Sequence, residues 1–262
     1  MTAGHVAAAS APYTLLEWDS ATFGFPVARL APDLAGTGQL VGALGAMARH
    51  GVRLAYLFAS PHERGVRVAA EAAGGRLVDE KLTYAMRLAD VGARLAEAEE
   101  PRGIAVAEFT GETPSPTLRE LARQSGDFSR FRTDPGVPPR VFEAIYDAWI
   151  DGSVSKRIAE TVLIATDTAS ATAPTLGMVT LGHKSDRADI GLLAVAAAAR
   201  GRGVGRALVR AAQRWALARG SVVAQVVTQR ANAPACRLYE HCGYHVDRAE
   251  LVYHFWLATA PR

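Results

Sequence analysis

Arg200-Gly201-Arg202-Gly203-Val204-Gly205 lies between an all-apolar run, Ile190 to Val195, and an amphipathic segment, Val204 to Arg219. The pattern predicts a buried strand, a loop with three glycines and a helix, in that order. Such a turn aims unpaired backbone N–H groups at one point, where the positive end of the helix dipole adds to their field. The expected guest is a pyrophosphate. Glycine lets the backbone close on phosphate oxygens, and Arg200 and Arg202 are placed to screen the same negative charge. The plain alternative is a glycine-rich turn that only links strand to helix.

Spacing separates three phosphate motifs. A Walker loop ends in Gly-Lys-Ser/Thr, but Gly205 is followed by Arg206 and Ala207, which place no hydroxyl for magnesium. The dinucleotide fingerprint needs Gly-x-Gly-x-x-Gly, whereas the spacing here is Gly-x-Gly-x-Gly. Arg200, Gly203 and Gly205 instead resemble the Arg/Gln-x-x-Gly-x-Gly/Ala signature of the GNAT superfamily of acetyl-CoA-dependent N-acetyltransferases. Downstream, Val222 to Thr228 reads as a strand, Asn232 as an N-cap, Pro234 as a first-turn proline and Gly243 as a left-handed helix stop. The run Asn232 to Tyr244 resembles the second signature of the same superfamily, Asn-x-x-Ala-x-x-Leu-Tyr followed by Gly-Phe/Tyr.

That resemblance implies acetyl-CoA as co-substrate, held by Arg200, Gly201, Arg202, Gly203, Val204 and Gly205, with Arg206 and Asn232 close by. It also implies that the strand Ile190 to Val195 splays from its neighbour, which frees main-chain groups of Leu193, Ala194 and Val195 for the pantetheine arm and thioester oxygen. By the same likeness Tyr239 is the general acid. A phenol with a pKa near ~10 stays protonated at neutral pH and can donate to a thiolate. Periodicity alone reads Tyr239 equally well as a core residue, because Ala235, Leu238 and Cys242 share its face.

Bulk properties fit a soluble enzyme. The chain has 262 residues, 49% of them hydrophobic, enough for one large domain or two modest ones; two is the expectation. No apolar stretch reaches the ~20 residues of a membrane helix and no signal-peptide pattern opens the chain, so a cytoplasmic location is expected, with no membrane partner. Basic residues behind the net charge of +3 are dispersed, which argues against nucleic acid and suits a small anionic ligand. Cys236 and Cys242 read as small core residues and not as a disulfide framework. His241, Cys242 and His245 match no standard zinc spacing, so no metal is expected.

The expected fold is mixed α/β with a mostly antiparallel sheet. Met1 to Ala11 reads as a disordered tail, within an unstructured 1–12. Residues 13–100 read as an N-terminal α/β unit, a partial copy of the acetyltransferase plan or equally an α/β unit of separate origin. Residues 101–262 read as the acetyltransferase domain, with the junction near Asp90 to Glu100, Pro101 and Gly103. The echo lies in element order: strand Leu54 to Phe58, helix Glu63 to Ala73, stop Gly74-Gly75 and strand Arg76 to Leu88 parallel Val222 through Leu257. The N-terminal half has no glycine-rich phosphate loop and is expected to bind no coenzyme. Helping to shape an acceptor pocket is its natural role.

From Leu15 onward the chain further resembles the dTDP-fucosamine acetyltransferases, which act on the 4-amino group of a dTDP-linked 4-amino-4,6-dideoxygalactose. Leu16-Glu17-Trp18-Asp19 with Phe23-Gly24 carries that likeness, as do Ser129-Arg130-Phe131-Arg132 with Phe142, Tyr146 and Trp149-Ile150, and Ile190 to Ala194. Thr22 stands where the family has phenylalanine, and Thr133 to Gly136 interrupts its aromatic run. The likeness implies a nucleotide-linked amino sugar as substrate, Phe23, Arg130 and Arg132 as acceptor-binding residues, and a homodimer. Arg130 and Arg132 alternate, so in an extended segment they point the same way and clamp a diphosphate; an exposed pair is the alternative. Asp79 and Asp19 are the candidate bases, acting directly or through water, against simple solvated turn carboxylates and against direct proton loss to solvent before binding. Other readings are transfer to a different small amine, an aminoglycoside or a protein N-terminus, and a non-catalytic acetyl-CoA sensor.

Overall fold

The computed structural model describes residues 11–31, 36–90, 92, 95 and 101–258. Compact packing divides the chain into one unit of Met1–Val78 with Glu250–Arg262 and a second of Asp79–Ala249.

The first unit contains β1 (Tyr13–Leu15), α1 (Glu17–Phe23), β2 (Val27–Leu30), α2 (Thr37–Arg49), β3 (Leu54–Ala59), α3 (Arg64–Ala72) and the start of β4 (Arg76–Arg87). The second half of β10 (His245–Trp256) completes it. β1 runs antiparallel to β2, β2 parallel to β3, and β3 antiparallel to β10. Leu40, Met47, Leu57, Ala69, Tyr253 and Phe255 are buried together. α2 has no counterpart among the elements expected from the sequence. Gly38, Gly42 and Gly45 weaken its helical signal, and burial of Leu40, Ala43, Leu44 and Met47 outweighs that deficit.

The second unit carries β5 (Ile104–Glu108), α4 (Pro116–Ser125), α5 (Arg130–Thr133), α6 (Pro139–Val154), β6 (Thr161–Asp167), β7 (Thr175–Lys184), β8 (Arg187–Val195), α7 (Val204–Ala218), β9 (Val223–Gln229) and α8 (Ala233–His241). Strands β5 to β8 pair antiparallel in chain order, β8 is parallel to β9, and β9 is antiparallel to β4. The result is the expected mixed α/β fold with a mostly antiparallel sheet. Helix starts follow their capping chemistry: Ser115 accepts from the Leu118 N–H at 3.2 Å with Pro116 in the first turn, and α7 buries Val204, Ala207, Leu208, Ala212 and Ala216 at three- and four-residue steps.

The division differs from the expected one at residue 100. Lys81–Arg87 of β4 pair with Val223–Gln229, which ties that strand to the second unit, whereas Leu251–Trp256 of β10 pair with Leu54–Ala59 of the first. Each half of the chain therefore lends its last strand to the other half's sheet. Most of the segment Asp90 to Glu100, like the tail Met1 to Ser10, lies outside the described residues. Among the described residues, no helix is long and apolar enough to cross a membrane.

Candidate active site

The site begins with an interrupted strand pair. β8 and β9 are joined only through Ala188↔Ala224, Asp189↔Gln225 and Ile190↔Val226, although β8 continues to Val195 and β9 to Gln229. A bulge accompanies the break: Ile190 faces Leu181 and Leu193 faces Val179, so Gly191 and Leu192 together oppose Thr180. The Leu192 N–H, displaced from the ladder, donates to buried Thr180 Oγ1 at 2.8 Å. A Cβ at position 191 would fall 2.8 Å from that same oxygen, which explains the glycine. Below the break, Gln225 Nε2 donates to buried Asp189 at 3.0 Å and Lys184 lies 2.7 Å from the same carboxylate, pinning the closed end.

Beyond Ile190 the main chain of β8 points alternately to β7 and to the gap. Leu192 donates to Thr180 and the Ala196 N–H donates to Leu176 O at 2.8 Å, so Ala194 in the same phase also faces β7, and Leu193 and Val195 face the gap. Ala194 is thus committed to the ladder, while the main chain of Leu193 and Val195 is turned toward the gap.

The glycine loop follows. Gly201 and Gly203 take φ values of 79° and 86°, left-handed conformations that other residues rarely adopt, and Gly203 caps α7. The first N–H groups of α7, including those of Val204, Gly205 and Arg206, have no intrahelical acceptor and converge at its start. Gly205 serves close packing: a Cβ there would lie 3.1 Å from Leu238 Cδ2 and 3.7 Å from Val195 Cγ2. These features fit the pyrophosphate and pantetheine of acetyl-CoA. The two loop arginines differ from expectation in their partners. Arg202 pairs with Asp167 at 2.8 Å, holding that carboxyl below its ordinary range, and so ties the loop to β6; Arg200 Nε donates to Val195 O at 3.4 Å.

A cavity of about 220 Å³ opens in the second unit where β8 and β9 part, lined by Gly191–Leu193 and Val226–Gln229. Asp79, Arg130, Asn232 and Tyr239 also line it. Asn232 accepts from the Ala235 N–H at 3.2 Å and caps α8, Pro234 stands in the first turn, and Gly243 has a φ of 91° just past the end. That cap orients the helix so that Tyr239 turns inward, 4% exposed, with its ring 6.0 Å from those of Tyr84 and Tyr244. Burial pushes its phenol above the ordinary range, with the nearby Cys236 and Cys242 acting in the same direction. Asp79 is buried too. Its carboxyl is raised to about 7 by burial, against the opposing charges of Arg130 and Lys81. One cavity therefore collects a proton donor and a carboxyl that titrates near neutrality.

Other expected residues lie elsewhere. Asp19 stands on α1 of the first unit, where Tyr56 donates to it at 3.2 Å. Phe23 is buried at the end of the same helix, 5.5 Å from the Phe25 ring. The diphosphate clamp required Ser129 to Arg132 to be extended, but Arg130–Thr133 is a short helix, and residues two apart on a helix point in nearly opposite directions. Arg130 lies 4.2 Å over Phe131 and lines the cavity. Arg132 instead sits 5.1 Å over Phe142 and lines a second cavity with Gln124, Asp127 and Glu143. The two arginines do not share one anion. Ser129, Trp149 and Thr180 were not singled out as site residues, because only tertiary packing brings α4 to α6 and the bulge to this point.

Comparison with known proteins agrees with the geometry. Residues 137–244 match the acetyltransferase (GNAT) family. A dTDP-fucosamine acetyltransferase of Escherichia coli O6:H1 is 34% identical over 147 residues, covering 56% of this chain and 59% of that protein. A streptothricin acetyltransferase of Escherichia coli is 37% identical over 78 residues, covering 30% of this chain and 43% of that one. The chain thus matches about half the length of these curated relatives. Among solved structures, a GCN5-related N-acetyltransferase from Sphaerobacter thermophilus superposes with a TM-score of 0.62 at 18% identity, over 93% of this chain and 75% of that chain. A tandem GNAT protein from the clavulanic acid biosynthesis pathway gives 0.58 at 15% identity, over 91% and 77%. These likenesses concern the fold. The segment that holds β8, the glycine loop and Tyr239 is thus the one that matches the acetyltransferase (GNAT) family.

Proposed function

We propose that this chain transfers an acetyl group from acetyl-CoA to the amino group of a nucleotide-linked amino sugar of the dTDP-4-amino-4,6-dideoxyhexose type. The observation that carries the transfer is the gap between β8 and β9, where a cavity is lined by both Asp79 and Tyr239. Acetyl-CoA, when bound, supplies an acetyl group activated as a thioester. The chain's own residues do the rest. The α7 N-terminus and Gly201 and Gly203 bind the diphosphate, and the gap-facing amides of Leu193 and Val195 orient and polarise the acyl carbonyl. Asp79 takes the proton from the acceptor ammonium, a role suited to a carboxyl that titrates near 7. Tyr239 holds a proton at Oη for the departing sulfur, and its buried setting keeps it protonated at working pH.

The sugar is inferred from the 34% identical relative, whose name specifies dTDP-fucosamine. A second acceptor, streptothricin, follows from the 37% identity over 78 residues to the acetyltransferase named for it. Incubation with acetyl-CoA and either dTDP-4-amino-4,6-dideoxygalactose or streptothricin, with free thiol followed, separates them. Thiol release with the sugar supports the first reading. Release only with streptothricin transfers the assignment, and release with neither leaves an acetyl-CoA sensor. Residues of the first unit, Asp19 and Phe23 among them, have no step in this mechanism.

A further inference from the structure

Tyr146 has no part in the reading above, yet its setting is specific. It lies on α6, is 4% exposed, and lines the same cavity as Asp79, Arg130 and Tyr239. Its ring sits between those of Phe142 and Trp149, 4.9 Å from each. Beneath it is Gly126, at the end of α4. A Cβ at that position would fall 2.2 Å from Tyr146 Cζ and 2.6 Å from its hydroxyl oxygen, so the glycine makes room for the phenol. Its φ of −92° is open to any residue, which leaves space as the reason for it. Burial pushes the phenol up to about 12, and the charges of Arg130 and Asp79 both act on it. The hydroxyl therefore stays a donor across the working pH range, close to the carboxyl assigned as base. Trp149 and Phe131 add apolar ring surface to the same cavity.

We propose that Tyr146, seated on Gly126, binds the acceptor by donating to a hydroxyl on the carbon next to its amine, which fixes the amine against Asp79. This rests on the acetyl-transfer reading and deepens it: the cavity selects amines with a neighbouring hydroxyl. The carboxyl meets the ammonium, the phenol meets the oxygen, and the aromatic edges cover the carbon face between them.

The experiment compares wild type and Tyr146→Phe with dTDP-4-amino-4,6-dideoxygalactose and its 3-deoxy counterpart. Wild type should prefer the hydroxylated sugar, and Tyr146→Phe should raise the acceptor KM about 10-fold or more, leave the acetyl-CoA KM unchanged and erase the preference. A purely structural loss would move both KM values and preserve the preference. Acetyl-CoA binding by the variant reports on its folding. An unchanged acceptor KM with the preference retained overturns the proposal. If wild type acts on streptothricin, whose free amines have no hydroxyl on the neighbouring carbon, and not on the sugar, acetyl transfer stands but the sugar reading and this proposal both fail; an unchanged acceptor KM for the sugar overturns this proposal alone. No thiol release with either acceptor overturns both.

Discussion

The two halves of the chain contain the same succession, and only the second carries the glycine loop and Tyr239. β2, α2, β3, α3 and β4 repeat as β8, α7, β9, α8 and β10, with β2 parallel to β3 as β8 is to β9. The strand registers agree closely. Lys81 pairs with Gln229 and Leu251 with Ala59, and both 229 − 59 and 251 − 81 are 170. The same step carries Leu54 to Ala224, which occupy matching places in the two parallel pairs. The N-terminal succession thus repeats the element order of the second.

What differs is chemistry. A step of 170 places Ala69 where Tyr239 stands and His62 where Asn232 caps α8. Gly36 caps α2 as Gly203 caps α7, but in an extended conformation with φ −122° against the left-handed 86° of Gly203. Nor does the first parallel pair run on unpaired. β2 ends one residue past its last partner in β3, whereas β8 continues five residues past Ile190. A repeat can keep the packing of a strand–helix–strand unit with small residues such as Ala69, but coenzyme chemistry needs the gap, the glycines and the phenol together. The exchange of last strands adds a consequence: Asp79, the assigned base, lies on β4, the closing strand of the N-terminal succession.

The comparison is sharpened most by Tyr239→Phe, which takes the phenol from α8 while keeping its packing. Turnover should fall about 10²- to 10³-fold with acetyl-CoA affinity unchanged; an unchanged kcat removes Tyr239 from the mechanism. Next is Asp79→Asn. The wild-type rate should rise with pH through about 7, where Asp79 loses its proton, and the variant should lack that limb. Stability runs the other way. A carboxyl raised in the folded state costs nothing below the unfolded value of 3.8, then costs progressively more up to about 7 and levels off. The full cost is about 4 kcal/mol, so Asp79→Asn should melt higher than wild type at pH 8 and lose that advantage near pH 4. A variant less stable at pH 8 contradicts the burial argument.

Thr180→Val strands the buried Leu192 N–H at an expected cost of about 1–3 kcal/mol. Chemical denaturation should show that loss and Thr180→Ser should recover most of it. Equal behaviour of the two variants would mean the hydroxyl does not hold the bulge. The smallest effect belongs to Arg202→Ala. Its partly exposed pair with Asp167 should contribute below about 1 kcal/mol, and acetyl-CoA affinity should change only a few-fold because backbone amides carry the diphosphate. A loss of 100-fold would make Arg202 a principal ligand.

Motifs whose meaning is local were legible in the sequence. Gly201, Gly203, Asn232, Pro234 and Gly243 each do by backbone conformation or capping what their type and spacing predict. The strand–loop–helix order follows from apolar periodicity for the same reason. Arg130 and Arg132 were not legible, because four residues are too few to separate helix from strand by pattern. Likewise, α2 hides behind its glycines, and the raised carboxyl of Asp79 depends on burial that only assembly of the unit creates. The division of the chain escaped the reading because strand exchange leaves no composition change at Val78 or Ala249.

The central claim, that only the second repeat is built to hold acetyl-CoA, is tested most directly by calorimetric titration of the full chain with acetyl-CoA. One molecule should bind per chain, with binding lost in Gly203→Val, whose left-handed backbone no β-branched residue tolerates. Two molecules per chain, or one whose binding survives Gly203→Val, would contradict it.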